Sequence, residues 1–139
     1  MSAADIIGIL GFALHAAHKL YEYGQRWLAA PEELQALLVE VNRVQGLLQQ
    51  MIHGSQCEGM DANPVLDVLR FHPDLIEQIR RLAEASNTFV DKMTKTFKDG
   101  SRHVQRTRWT LKASDAKDLT TKFQALYSAV SAIYAVNAS

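Results

Sequence analysis

The sequence has few of the residues that interrupt or cross-link a chain. Its 139 residues include three prolines, seven glycines and one cysteine, Cys57. So little proline and glycine argues against a disordered chain or one built from loops. A lone cysteine excludes an intramolecular disulfide and favours a reducing environment. We therefore expect a folded cytoplasmic protein.

Formal charge is absent from the stretch "IIGILGFALHAA", residues 6–17, which begins almost at the N-terminus. The stretch is shorter than the roughly 20 apolar residues of a standard membrane-spanning helix. A secretory signal is disfavoured because Asp5, and no Lys or Arg, precedes it. Three explanations stay open: a helix buried on all sides in a bundle, a membrane-inserting segment, or an oligomer-forming segment, because its small residues permit close helix approach.

Catalytic motifs are also absent. The sequence contains no Gly-rich phosphate loop, no cysteine pair and no nucleophile elbow. His15, His18 and Glu22 have a spacing that places them on one helix face, as metal ligands would be, but such spacing is a weak signal. We expect no catalytic residues, no metal site and no cofactor, and hence a protein that is not an enzyme.

Apolar residues recur with a period near 3.6, which predicts an all-α protein. We expect one domain over residues 1–139, folded as an up-and-down four-helix bundle with an additional short helix before the last helix. The helix start and stop signals place the expected helices, in chain order, at residues 3–28, 31–54, 63–70, 73–100 and 101–112 and from Ser114 onward.

The net charge of zero conceals an uneven distribution. Residues 1–91 contain six basic and twelve acidic residues, whereas residues 92–139 contain nine basic and three acidic ones. The basic part could contact an anionic lipid or a partner, and the residues proposed for this contact are Lys98, Arg102, Arg106, Arg108 and Lys112. The alternative is a solvated face beside an acidic helix of the same molecule. Trp109 is expected to pack in the core, and no nucleic acid is expected as a partner.

Two segments resemble a known family. The start "SAADIIGILGFALHAAHKLYEYGQRWLAAPEELQALLVEVNRVQGLLQQM" resembles the N-terminal HeLo-like domains of fungal NLR-type (STAND) receptors, in which a Gly/Ala-rich first helix precedes an "APEEL" segment. The later "RTRWTLKASDAKDLTTKFQAL" is similar to that family's segment before its last helix.

The resemblance implies a cell-death or immune effector domain. Such a domain is a cytoplasmic helical bundle that self-associates when a C-terminal or separate sensor domain drives it, relocates to the plasma membrane and inserts its first helix into the anionic membrane. Trp109 and Leu111 would be a structural brace. The inserting residues would be Ile6, Ile7, Gly8, Ile9, Leu10, Gly11, Phe12, Ala13 and Leu14.

The leading hypothesis is thus a non-enzymatic effector whose apolar N-terminal helix is released on oligomerisation. The alternative is an adaptor domain that does not act on membranes and oligomerises through complementary acidic and basic faces.

Overall fold

Five helices make up most of the structure. The computed structural model describes residues 2–27, 30–55, 64–96 and 102–138, and within these ranges the prediction of an all-helical protein is confirmed. The helices are α1 (Ala3–Gln25), α2 (Glu32–Ser55), α3 (Pro64–Arg70), α4 (Pro73–Thr96) and α5 (Arg102–Ala138).

The start of α1 is fixed by a capping box. The Ser2 side chain accepts a hydrogen bond from the Asp5 backbone N–H at 3.2 Å. In return, the Asp5 carboxylate accepts hydrogen bonds from the Ser2 backbone N–H at 3.0 Å and from the Ser2 hydroxyl at 2.9 Å. These bonds, the backbone one first, hold the pKa of Asp5 below its ordinary value. α1 thus begins at Ala3, where the sequence predicts the first helix to begin.

Prolines set the next helix starts. The Pro31 carbonyl accepts the Gln35 backbone N–H at 2.9 Å, so α2 begins directly after this proline. The predicted break at His72 and Pro73 separates α3 from α4, and the His72 carbonyl accepts the Leu75 N–H at 3.0 Å. The predicted ends at Leu28 and Gly100 lie outside the described residues.

The expected separate helix at residues 101–112 is wrong. Residues 102–138 form one 37-residue helix, and Ser114, the predicted cap of the last helix, is an exposed residue inside it. The physical reason is that residues 101–139 contain no glycine or proline, so nothing interrupts the backbone hydrogen bonds on either side of Ser114. The short helix of this fold is α3, between α2 and α4.

The four long helices pack around one core. α1 and α5 each pack against both α2 and α4, and α3 contacts α1, α2 and α4. The larger side chains with the least exposure come from every helix: Ile6, Leu10, Leu20, Leu34, Leu37, Val41, Val44, Leu69, Ile79, Met93, Phe123 and Leu126.

Candidate functional site on the first helix

One face of α1 belongs to the core. Its buried residues are Ile6, Leu10, Ala13, Ala16, Ala17, Leu20 and Gly24. They recur every three or four positions and face α2 and α4. Gly24 permits the closest approach, because a Cβ at this position would lie 2.5 Å from a methyl group of Leu38. The first helix is therefore docked in the bundle.

The opposite face of α1 is open to solvent. Ala4, Gly8, Gly11, Phe12 and His15 are exposed, and Phe12 retains 42% of its accessible surface. Apart from the chain neighbours of each glycine and the backbone of α1 itself, a Cβ added at Gly8 or at Gly11 would meet no atom within 4 Å. The explanation of this segment as a helix buried on all sides is wrong, because α2, α3 and α4 pack against one side of α1 whereas the residues of this side are exposed.

The nine residues predicted to insert into a membrane fall into three groups. Ile6, Leu10 and Ala13 are buried in the core, and the exposed residues are Gly8, Gly11 and Phe12. The remaining three, Ile7, Ile9 and Leu14, are half-buried at the edges of the packed face. Insertion of the whole segment thus requires that α1 leave its place in the bundle. While α1 remains docked, only the exposed group can contact a membrane or another molecule.

Among the described helices, α1 is the one that is long and apolar enough to cross a membrane by length and composition. In its most apolar stretch of 18 residues, 33% of the residues are buried. The core helix of a soluble protein can be equally long and apolar. The uncharged run of residues 6–17 is too short to span a bilayer, but the complete 23-residue helix is not.

Aromatic rings surround the C-terminal end of α1. The ring of Trp27 is edge-on to Tyr23, with centroids 6.4 Å apart, and to Trp109 of α5, with centroids 5.7 Å apart. Trp109 is buried, and its indole N–H donates to a carboxylate oxygen of Glu33 at 3.1 Å. Burial raises the pKa of Tyr23. This cluster joins the end of α1 to the starts of α2 and α5.

The basic residues proposed for contact with an anionic surface are described only in part. Arg102, Arg106 and Arg108 belong to the first two turns of α5, but their side chains, like that of Leu111, lie outside the described part. Lys112 is half-buried, and Lys98 lies outside the described residues. Basic residues are therefore concentrated in the part of α5 that contains Trp109.

His18 lies between two polar partners. Its Nε2 is 3.1 Å from a carboxylate oxygen of Glu22, and its Nδ1 is 2.9 Å from the amide nitrogen of Gln45 on α2. His15 is exposed on the turn before it. In the described ranges no group of three or more His, Cys, Asp or Glu residues is arranged to hold a metal ion. The imidazole of His18 instead links α1 to α2.

Ion pairs do not join the acidic part of the chain to the basic part within the described bundle. Every ion pair between described side chains connects residues three or four positions apart in one helix. Lys117 of α5 nevertheless attracts Glu33 of α2, which helps to lower the pKa of Glu33 after the larger effects of its own backbone N–H and of Trp109.

A surface groove between α4 and α5 is lined by charged residues, among them Asp74, Glu77, Arg81 and Lys122. Hydrogen bonds from Arg80 and then Arg81 lower the pKa of Glu77 to about 2. A carboxylate this acidic is ionised at neutral pH and is a weak proton acceptor, so Glu77 does not have the properties of a general acid or base.

Comparison with family models, with curated proteins and with solved structures finds no significant match to the chain.

Proposed function

We propose that this chain is a non-enzymatic, membrane-targeting effector domain of the HeLo-like type, which self-associates and inserts α1 into anionic membranes. The observation that carries the proposal is the state of α1. It is apolar enough to enter a bilayer, yet its face with Gly8, Gly11 and Phe12 is exposed in the folded bundle. An apolar helix face in contact with water is suited to bind a lipid surface.

The docked face of α1 determines what release of the helix costs. Ile6, Leu10 and Leu20 are the large side chains that it buries, each with at most 1% exposure. Burial of each contributes about 2 kcal/mol, so undocking costs about 6 kcal/mol from these three alone. Hydrocarbon offers the same side chains an equally apolar environment. A bilayer, or an oligomer that covers the vacated surfaces of α2 and α4, therefore offsets most of this cost.

The basic residues at the start of α5 are suited to attract the domain to an anionic membrane. Arg102, Arg106 and Arg108 lie within two turns of one helix, and each basic residue near an anionic membrane surface contributes about 1 kcal/mol of attraction. We propose that this segment brings the domain from the cytoplasm to the plasma membrane, where α1 enters the bilayer. A sensor domain, C-terminal or separate, would drive the self-association.

We also propose that the four long helices run up and down.

The experiment is dye leakage from liposomes of anionic and of neutral lipid, with the purified chain and two arginine variants. Phe12→Arg places a charge on the exposed face of α1 without changing a buried residue. Val39→Arg is the matched control, because Val39 is an exposed apolar residue, 60% accessible, on α2. A charge at bilayer depth costs about 2.5–3.5 kcal/mol on insertion scales.

We expect leakage from anionic liposomes that is lost in Phe12→Arg and kept in Val39→Arg, with both variants as helical as the parent by circular dichroism. Equal leakage by the parent and Phe12→Arg would show that α1 does not enter the membrane. The absence of leakage from the folded parent at any lipid composition would count against membrane action by this domain.

The adaptor function is the second candidate, and the ion pairs favour it. Because the described ion pairs stay within single helices, the opposite charges of the two parts of the chain are not paired with each other in the described bundle. They remain able to attract a second molecule. This function predicts self-association that weakens as salt rises from 0.05 to 0.5 M, since exposed charges are screened within about 10 Å at 0.1 M. Association without lipid binding or leakage would favour the adaptor over the effector.

A further inference from the structure

Three exposed residues of α1 are spaced by seven positions: Asp5, Phe12 and Lys19. Seven residues are two helical turns less about 20°, so the three side chains lie in one row along the helix. Phe12 is at the centre, with an acid two turns before it and a base two turns after it. This row lies on the exposed side of α1, away from the buried residues that pack against the other described helices.

The two charges at the ends of the row are available to another molecule. Lys19 forms no ion pair with a described side chain. The hydrogen bonds that Asp5 accepts from Ser2 both reach its Oδ2 atom, so Oδ1 takes no part in them. The charges are thus of opposite sign, exposed and equidistant from Phe12.

Next to Phe12, two glycines leave a depression in the surface of α1. Gly8 and Gly11 are exposed, one turn before Phe12 and directly next to it. Apart from the chain neighbours of each glycine and the backbone of α1, no atom lies within 4 Å of a Cβ added at either position. A protruding aromatic ring next to a depression on the same helix is a self-complementary shape. Two copies related by a two-fold axis near Phe12 place each Phe12 ring beside Phe12 and Gly11 of the other, because Gly11 is only one position from the axis.

We propose that this face of α1 binds the same face of a second copy of this chain, with the two helices antiparallel and the two-fold axis close to Phe12. In that arrangement residues that are equidistant from Phe12 on opposite sides face each other. Asp5 of each copy therefore meets Lys19 of the other, which gives two ion pairs around an apolar centre. A bilayer would bind the apolar centre but does not account for charges placed symmetrically about it.

The contact is small. Asp5 and Lys19 are about 21 Å apart along the helix axis, so one helix face of this length buries much less than the roughly 1,600 Å² of a standard stable interface. The pair is therefore weak and dependent on concentration. It specifies the surface for the self-association named above and rests on that part of the proposed function, whereas it does not depend on membrane insertion.

Glycine substitutions provide the first test. Gly11→Gln introduces a bulky side chain where the separate molecule has open space, so the variant folds and gains helix propensity, but the close approach of two copies is blocked. Gly46→Gln is the matched control, because Gly46 of α2 has the same open space and lies on another helix. Sedimentation equilibrium over a wide range of protein concentration, without lipid, measures the self-association of each.

A charge exchange tests the antiparallel register. Lys19→Glu replaces both attractions by repulsions, and we expect self-association to weaken about tenfold. Asp5→Lys does the same from the other side, with circular dichroism to verify the helix because the capping box is lost. In an equimolar mixture of the two variants each ion pair is restored between unlike copies. The mixture should therefore associate more strongly than either variant alone.

The expected result is association of the parent and Gly46→Gln, weakening in Gly11→Gln and Lys19→Glu, and recovery in the mixture. A parent that remains monomeric at millimolar concentration would overturn the inference, as would association unchanged by Gly11→Gln and Lys19→Glu. Because lipid is absent, these outcomes are independent of the leakage experiment. A monomer that causes leakage through Phe12 would contradict the dimer and support membrane action.

Discussion

The indole nitrogen of Trp109 lies 3.1 Å from a carboxylate oxygen of Glu33, 76 residues earlier in the chain. This hydrogen bond joins the start of α5 to the start of α2, and the edge contact of Trp109 with Trp27 extends the connection to the end of α1. Three helix ends therefore meet at one buried indole. The segment of α5 with the basic residues and the end of the apolar first helix are thus mechanically connected through Trp109.

Replacement of Trp109 by Phe should destabilise the fold in a pH-dependent manner. The phenyl ring preserves much of the packing but cannot donate to Glu33. The pKa of Glu33 is lowered by its own backbone N–H and then by Trp109, so its contribution to stability is fully present above the ordinary pKa of 4.5 and is lost as the pH falls through the lowered value. Urea unfolding should show a larger difference between parent and variant at pH 7 than at pH 3.

The control for this prediction is Glu33→Gln, which retains an acceptor for the indole but removes the charge. In a Glu33→Gln background, the effect of Trp109→Phe should be smaller and should no longer depend on pH in the acid range. A stability difference that is the same at pH 7 and pH 3 in the parent background would mean that packing alone accounts for the role of Trp109.

Local signals were sufficient to predict most of the helices. Ser2 with Asp5 acts through hydrogen bonds within one turn, and the prolines at 31, 64 and 73 act through their own fixed φ, so their effect does not depend on distant parts of the chain. The apolar period near 3.6 is likewise a local signal, because it depends only on the spacing of residues within one segment. The packing of α1 and α5 against both α2 and α4 depends on contacts between distant residues, which no local signal specifies.

Ser114 shows where a local signal misleads. Serine is favoured at a helix start, but it is also tolerated within a helix when its side chain is exposed. Here Lys112 and Ala113 precede it and Ala116 and Lys117 follow shortly after, and all four are good helix formers. We expect Ser114→Ala to stabilise the protein by about 0.5 kcal/mol, as at an exposed helix interior position. An N-cap would instead lose about 1 kcal/mol on the same substitution. Thermal unfolding distinguishes the two signs, and destabilisation would contradict an uninterrupted α5.

The candidate site was predictable only as a segment. In residues 6–14, apolar side chains occur all around the helix. The sequence pattern therefore predicts burial equally well for two adjacent stripes of residues, one through Leu10 and one through Leu14. Which stripe is buried depends on the side from which α2 and α4 pack against α1. The close contact of Gly24 with Leu38 of α2 is part of that packing. The exposure of Phe12, which makes the candidate site testable, follows from this packing and not from the sequence pattern.

Replacement of Gly24 and of Gly46 by alanine should change the stability of the protein in opposite directions. At Gly24 an added Cβ would lie 2.5–2.9 Å from the side chain of the buried Leu38. Repacking of a buried side chain costs more than the helix propensity that alanine adds, so we expect Gly24→Ala to lose about 1 kcal/mol. Gly46→Ala, in open space, should gain about 0.5–1 kcal/mol. Urea unfolding of both variants is the measurement, and stabilisation by Gly24→Ala would show that Leu38 moves aside freely.

Glu77, in the charged groove between α4 and α5, has a titration that is directly observable. Arg80 and then Arg81 hold the pKa of Glu77 at about 2, against an ordinary value of 4.5. Because the folded pKa is the lower one, the stabilisation by ionised Glu77 is complete above pH 4.5 and disappears as the pH falls toward 2. An NMR titration of the side-chain carboxyl carbon should give a midpoint well below that of an exposed glutamate. Arg80→Gln should shift the midpoint upward more than Arg81→Gln does, because Arg80 has the larger effect on Glu77. Equal midpoints in the parent and Arg80→Gln would mean that the arginines are too hydrated to hold the charge of Glu77.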